Sequence, residues 1–127
     1  MPEYYIGIDW GRKKCGIAMA DEENKIATAY STVSLDSLFR VMQELGKEYP
    51  IKVVVVGFLE KGENLDILED FVNSIKKAGY RVEKEREDFT SLLAQKNLYQ
   101  AGHKRVSTID DAEAARIILQ SWLDKKR

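Results

Sequence analysis

The 127-residue chain contains one cysteine, one histidine and two prolines. A lone Cys15 rules out an internal disulfide, and with His103 as the only imidazole there is no Cys/His cluster of the kind that binds zinc. The scarcity of proline leaves room for long regular elements. An excess of charge of one sign is also missing. Twenty basic residues face twenty-one acidic ones, for a net charge of -1. Any hold on nucleic acid must then come from local patches rather than a global positive field. No N-terminal stretch has the apolar core of a signal peptide, and no run is long enough for a membrane span. These absences lead to an expectation of a cytoplasmic protein with no membrane partner.

The composition itself, 44% hydrophobic and 32% charged, is that of a globular chain. Its length suits one domain spanning residues 1–127. Apolar runs around 4–9, 15–20 and 26–33, separated by Gly11-Arg12-Lys13-Lys14 and Asp21-Glu22-Glu23-Asn24-Lys25, predict an antiparallel three-strand meander. After Ser34, a helix cap, Leu35, Leu38, Phe39, Met42 and Leu45 form one helical stripe that ends before Pro50. Ile51 to Gly57, with four consecutive valines, predicts a central parallel strand covered on both faces. Asn64 can cap a helix carrying Leu68, Phe71, Val72 and Ile75, with Gly79 at its left-handed end. A short strand is expected from Tyr80 to Glu83 or slightly beyond, then helices from about Thr90 to Ala101 and from Asp111 to about Lys125. The order β-β-β-α-β-α-β-α-α implies an α/β fold: a mixed five-stranded sheet with helices on both faces.

Within Tyr4-Tyr5-Ile6-Gly7-Ile8-Asp9-Trp10, alternation places Ile6, Ile8 and Trp10 on one face and Tyr5, Gly7 and Asp9 on the other. Asp is a poor strand former and is rarely buried unpaired, so Asp9 needs a reason. Glycines at 7 and 11 would let a ligand or another backbone come close. One reading is a carboxylate that holds a metal-bridged phosphate; another is an acceptor for backbone amides at the strand end. A third is the phosphate loop of actin-like and sugar-kinase ATPases, which also begin with an Asp before a Gly-rich hairpin. Those enzymes bind nucleotide between two such domains, and this length supplies one.

Cleavage of a phosphodiester by two metal ions requires several carboxylates to converge. Hard oxygen ligands without a Cys/His cluster favour Mg²⁺ or Mn²⁺. Asp111 shares a helical stripe with Ala114, Ala115, Ile118 and Trp122, and the two alanines would let that end of the helix approach the sheet. A first-turn acid favoured by the helix dipole is the alternative. Asp110 suits the helix cap, with Glu113 reaching back to complete a capping box. Glu87, in Glu85-Arg86-Glu87-Asp88, could reach the same edge as Asp9 or belong to a solvated charge cluster.

These segments together resemble a family. GIDWGRKKCGIAMAD at the start, the VVVVG strand and IDDAEAARIILQSWL at the end are similar to the YqgF-type proteins, known as Holliday junction resolvases and pre-16S ribosomal RNA nucleases with the ribonuclease H fold. The resemblance spans nearly the whole chain. It places the family's first-strand Asp on Asp9, its final-helix Asp on Asp111 and its middle acid on Glu87, with Ala94 in step. The chain departs from the pattern in two places. The Asp and Arg that flank the middle acid are exchanged, as Arg86 and Asp88, and the Pro- and Asn-containing loop after the central strand is replaced by Gly57-Phe58-Leu59-Glu60-Lys61.

The resemblance implies a divalent-metal-dependent endonuclease with Asp9, Glu87 and Asp111 as catalytic metal ligands and Mg²⁺ or Mn²⁺ as cofactor. The expected substrate is structured RNA, foremost the end of precursor 16S ribosomal RNA, ahead of branched DNA. A catalytically silent nucleic-acid-binding module is the third reading. Arg12, Lys13 and Lys14 in the first turn, and Lys104 and Arg105 before the last helix, are candidate phosphate contacts or merely solubilising charges. His103 has no partner at a motif spacing, Cys15 reads as a small buried hydrophobe, and Trp10 and Trp122 read as core. Either a monomer or a homodimer is expected.

Overall fold

The computed structural model describes residues 2–11, 13–58, 65–86 and 110–126. Five strands, β1 (Tyr4–Asp9), β2 (Lys14–Asp21), β3 (Thr28–Ser34), β4 (Ile51–Phe58) and β5 (Val82–Arg86), form one sheet in the order β3-β2-β1-β4-β5. The first three pair antiparallel, and β4 runs parallel to both β1 and β5. The described helices are α1 (Leu38–Glu48), α2 (Leu65–Lys77) and α3 (Asp111–Lys125). The expected mixed sheet is therefore present. The helix expected over 90–101 and the Asn64 cap lie outside the described residues.

The alternation in β1 separates two cores, as its sequence requires. Ile6 and Ile8 join Cys15, Ile17, Val54 and Val56 beneath Leu38, Met42 and Leu45 of α1 and Leu68, Phe71, Val72 and Ile75 of α2. On the other face Tyr5, Ala18, Ala20, Val53 and Val55 meet Ala115, Ile118, Leu119, Trp122 and Leu123 of α3. The four valines of β4 thus serve both cores at once. Each fully buried aliphatic side chain contributes about 1.5–3 kcal/mol.

Small residues set how closely α3 lies on the sheet. A Cβ on Gly7 would come 2.7 Å from Leu119 Cβ, one on Gly57 would come 2.4 Å from Ile118 Cδ1, and one on Gly16 would come 1.7 Å from the carbonyl oxygen of Asp111. The space above Gly7 is therefore filled by α3, through the Leu119 side chain and the Ala115 carbonyl at 3.0 Å. Gly11 has a different role, since its Cβ would meet the Lys14 carbonyl at 2.5 Å inside the hairpin turn.

Two polar clamps fix α3 laterally. Gln120 accepts from the Ala27 amide at 2.9 Å and donates to the Lys25 carbonyl at 3.2 Å, which ties the β2–β3 turn to the helix. Lys25 itself sits at φ 57, a left-handed conformation uncommon for a residue with a Cβ. On the far side, the buried Glu85 carboxylate accepts from Ser121 Oγ at 3.0 Å and from Lys125 Nζ at 2.7 Å. The ammonium and hydroxyl offset the cost of burying that charge.

Local signals hold with three corrections. Ser34 caps as expected, accepting from the Ser37 amide, but the turn it opens is a 3-10 turn, Leu35–Ser37, that leads into α1. Gly79, at φ 102, ends α2 with paired closing bonds, Gly79 N–H to Lys76 O and Tyr80 N–H to Ile75 O. Because Tyr80 is used in that closure, β5 starts at Val82 and runs to Arg86. Asp110 caps α3 by accepting from the Glu113 amide at 2.7 Å, but Glu113 turns to Arg116 instead of closing a capping box. No helix among the described residues is long and apolar enough to cross a membrane.

Candidate active site

Asp9 is the last residue of β1, on the face that α3 covers. Its register partners are Gly16 on β2 and Gly57 on β4. Both glycines are roofed by α3, Gly16 by the Asp111 carbonyl and Gly57 by Ile118. The Asp111 backbone therefore rests one strand away from Asp9, a lateral step of about 5 Å. Asp9 and Asp111 are both half-buried. Segments from opposite ends of the sequence come close here because Gly16 of β2 and the alanines in the first turns of α3 let the helix rest on the sheet.

Cys15 registers this convergence. Its thiol is fully buried, and its pKa is pushed up first by that burial and further by the negative charges of Asp9 and Asp111. It donates weakly toward the Gly11 carbonyl at 3.9 Å. Cys15 is thus a protonated core residue, and it offers no soft ligand to a metal. Iodoacetamide should label it at least about 100-fold more slowly than a free thiol at neutral pH, since only the thiolate reacts. Labelling at the rate of a free thiol would contradict this placement. The sign for stability follows from the same shift. The folded state holds the thiol proton more tightly than the unfolded chain, so this contribution is intact below the ordinary thiol pKa and is lost as pH rises through the folded value.

The donor chemistry fits a hard divalent cation. Asp9 and Asp111 present carboxylate oxygens, and among the described residues no group of three His, Cys, Asp or Glu forms. Glu87, the third expected acid, lies outside the described residues, as do Arg12, Lys104, Arg105 and His103. What is described is where its strand leads. Asp9, Gly57 and Glu85 form one row across β1, β4 and β5, and the next pair, Phe58 and Arg86, ends β5 at the same edge of the sheet. Lys13, in the turn after Asp9, and Lys14, the first residue of β2, are both exposed. Arg86 follows Glu85 on β5 and is exposed.

A meander leading into two parallel strands, with α1 and α2 on one face and the last helix crossing the other, where Asp9 ends β1, is the ribonuclease H-like fold. The solved structures that resemble it include T. thermophilus RuvC in complex with a Holliday junction substrate, with a TM-score of 0.55, 15% identity and coverage of 98% of this chain and 95% of that one. The Fowlpox virus resolvase, solved with substrate Holliday junction DNA, gives a TM-score of 0.57 at 13% identity over 97% of this chain and 98% of its own. At the level of sequence, residues 3–125 match the family described as RuvX: Holliday junction resolvase, and the chain belongs to that family of nucleases. A Bacteroides fragilis relative named "Putative pre-16S rRNA nuclease" is 35% identical over 96% of both chains. A Salinibacter ruber relative of the same name is 35% identical over 94% of this chain and 92% of its own.

Proposed function

We propose that this nuclease is a divalent-metal-dependent endonuclease acting on structured RNA, and that it trims an end of precursor 16S ribosomal RNA. Asp9, Asp111 and Glu87 are its metal ligands in this reading. The observation that carries it is the seating of Asp111 over Gly16, beside Asp9, by a glycine contact with no slack. A bound Mg²⁺ or Mn²⁺ would supply an activated water and neutralise charge on the phosphate. The chain's own part is to hold the two carboxylates rigid at the end of β1 and to offer Lys13 and Lys14 to the phosphates entering over that edge. The names of the relatives support RNA as the substrate. The family description supports a second reading, cleavage of branched DNA.

The test is cleavage, with Mn²⁺, of an RNA carrying an unprocessed 16S end beside a four-way DNA junction of similar length. Site-specific cutting of the RNA with the junction left intact is expected. Preferential cutting of the junction would transfer the proposal to DNA. Failure to cut either, together with no Mn²⁺ binding by calorimetry, would instead identify a silent binding module.

A further inference from the structure

A cavity of about 330 Å³ opens beside the C-terminal end of α3, where Tyr5 and Trp122 meet Lys52, Arg81, Glu83 and Lys126. It is not the carboxylate site. Tyr5 lies four residues before Asp9 along β1, about 13 Å away. Trp122 lies eleven residues beyond Asp111 along α3, about 16 Å away. In a chain with a net charge of -1, the lining holds four cations, Lys25 being the fourth, against the single acid Glu83.

The lining cations are loosely paired. Glu83 is shared by Arg81 at 3.6 Å and Lys126 at 3.7 Å, both long for a hydrogen bond, and Lys52 meets Glu22 at 3.4 Å. Their side chains remain 69%, 53% and 38% exposed for Arg81, Lys126 and Lys52. Pairs of this kind contribute little to stability, so an incoming anion can replace Glu83 at small cost.

The aromatic rings at the base decide which anion fits. Tyr5 and Trp122 pack edge to face with centroids 5.3 Å apart and are only 8% and 7% exposed. Lys126 Nζ covers the Trp122 ring at 5.4 Å. With both rings this deeply buried, neither offers a broad face for a base to stack on, and the exposed ammonium and guanidinium groups above an apolar floor of Tyr5, Val53, Trp122 and Leu123 are what an incoming anion meets. That chemistry suits a phosphodiester backbone, which is bound by charge without reading sequence.

We infer that this cavity is a second backbone contact for the nucleic-acid substrate, gripping two or three phosphates of an arm that extends about 15 Å from the cleavage site. The inference rests on the nuclease reading above, with Lys52, Arg81 and Lys126 as the contacts. It predicts that affinity depends on arm length, because a duplex confined to the Asp9 edge cannot reach α3's far end.

Binding of duplex RNA and duplex DNA by the whole protein, measured by fluorescence anisotropy in EDTA so that nothing is cut, tests it. The triple variant Lys52→Glu, Arg81→Glu, Lys126→Glu should bind a long duplex at least about tenfold more weakly than wild type. The slope of log affinity against log salt should flatten by about two to three, near 0.9 for each phosphate that the variant no longer neutralises. A duplex too short to reach should bind both proteins equally. The milder Lys52→Gln, Arg81→Gln, Lys126→Gln protein should melt like wild type and shift affinity in the same direction.

Equal weakening on both lengths, unchanged long-duplex binding, or no binding of either duplex by wild type would overturn the inference. So would tight binding of inorganic pyrophosphate that the triple variant loses while duplex binding persists, since that outcome marks a site for a small anion. Failure of the active-site reading appears separately, as wild type that binds duplex but cuts nothing in Mn²⁺.

Discussion

Asp9→Asn protein is expected to cut the RNA at least about 100-fold more slowly than wild type in saturating Mn²⁺, with Asp111→Asn close behind. Asn keeps the shape of the side chain and removes the negative charge that would hold a cation. The Asp111 backbone rests over Gly16, the register partner of Asp9, so both residues lie at the same end of the sheet. Calorimetric Mn²⁺ affinity should fall by about tenfold or more in both variants, with thermal stability in the absence of metal little changed. A purely structural role for Asp9, as an acceptor of backbone amides, makes the opposite forecast: lower stability and unchanged metal binding. Full activity in Asp9→Asn would end the metal-ligand reading.

Gly16→Ala should have the second large effect, and it removes no functional group. The added methyl would lie 1.7 Å from the Asp111 carbonyl oxygen, 2.0 Å from its carbon and 2.6 Å from the Ala112 nitrogen. All three are backbone atoms and cannot rotate aside, so the first turn of α3 must lift off β2. A cost of about 3 kcal/mol or more is expected, with a fall in Tm on the order of 10 °C. Cleavage should fail even in the fraction that folds, because Asp111 is displaced from Asp9. Gly57→Ala is the control. There the obstacle is the Ile118 side chain, with Cδ1 at 2.4 Å, Cγ1 at 2.8 Å and Cγ2 at 3.0 Å from the new methyl, so side-chain packing rather than the helix backbone must give. A cost of about 1–3 kcal/mol is expected, with cleavage closer to wild type than in Gly16→Ala because the Asp111 backbone stays in place. If Gly16→Ala melts with wild type, the close seating of α3 is wrong.

The sequence reads most plainly where one physical demand dominates. Alternation in Ile6-Gly7-Ile8-Asp9 and the unbroken valines of β4 declare which faces are buried, and both hold in the fold. The close seating of the first turn of α3 is legible from the thin alanine stripe beside Asp111, and the position of Asp9 at a strand end from its misfit in an apolar run. Less visible are effects that need two distant segments at once. Gly16 and Gly57 carry no local sign that α3 lies over them. The role of Gln120 in the closing motif emerges only when it is seen joined to Ala27, 93 positions earlier. The basic cavity leaves no local trace either, because Lys25, Lys52, Arg81 and Lys126 come from four separate segments, each ordinary in charge. The start of β5 falls later than its apolar pattern suggests because closing the Gly79 turn takes up Tyr80.

The route by which α3 reaches the sheet also bears on when the two acids come together. The meander of β1, β2 and β3 can pair as soon as it leaves the ribosome, since its contacts are local. Asp9 emerges with that meander, yet its companion acid sits on the helix made last among those described. A nascent chain stalled anywhere before α3 would thus display the first carboxylate without the second.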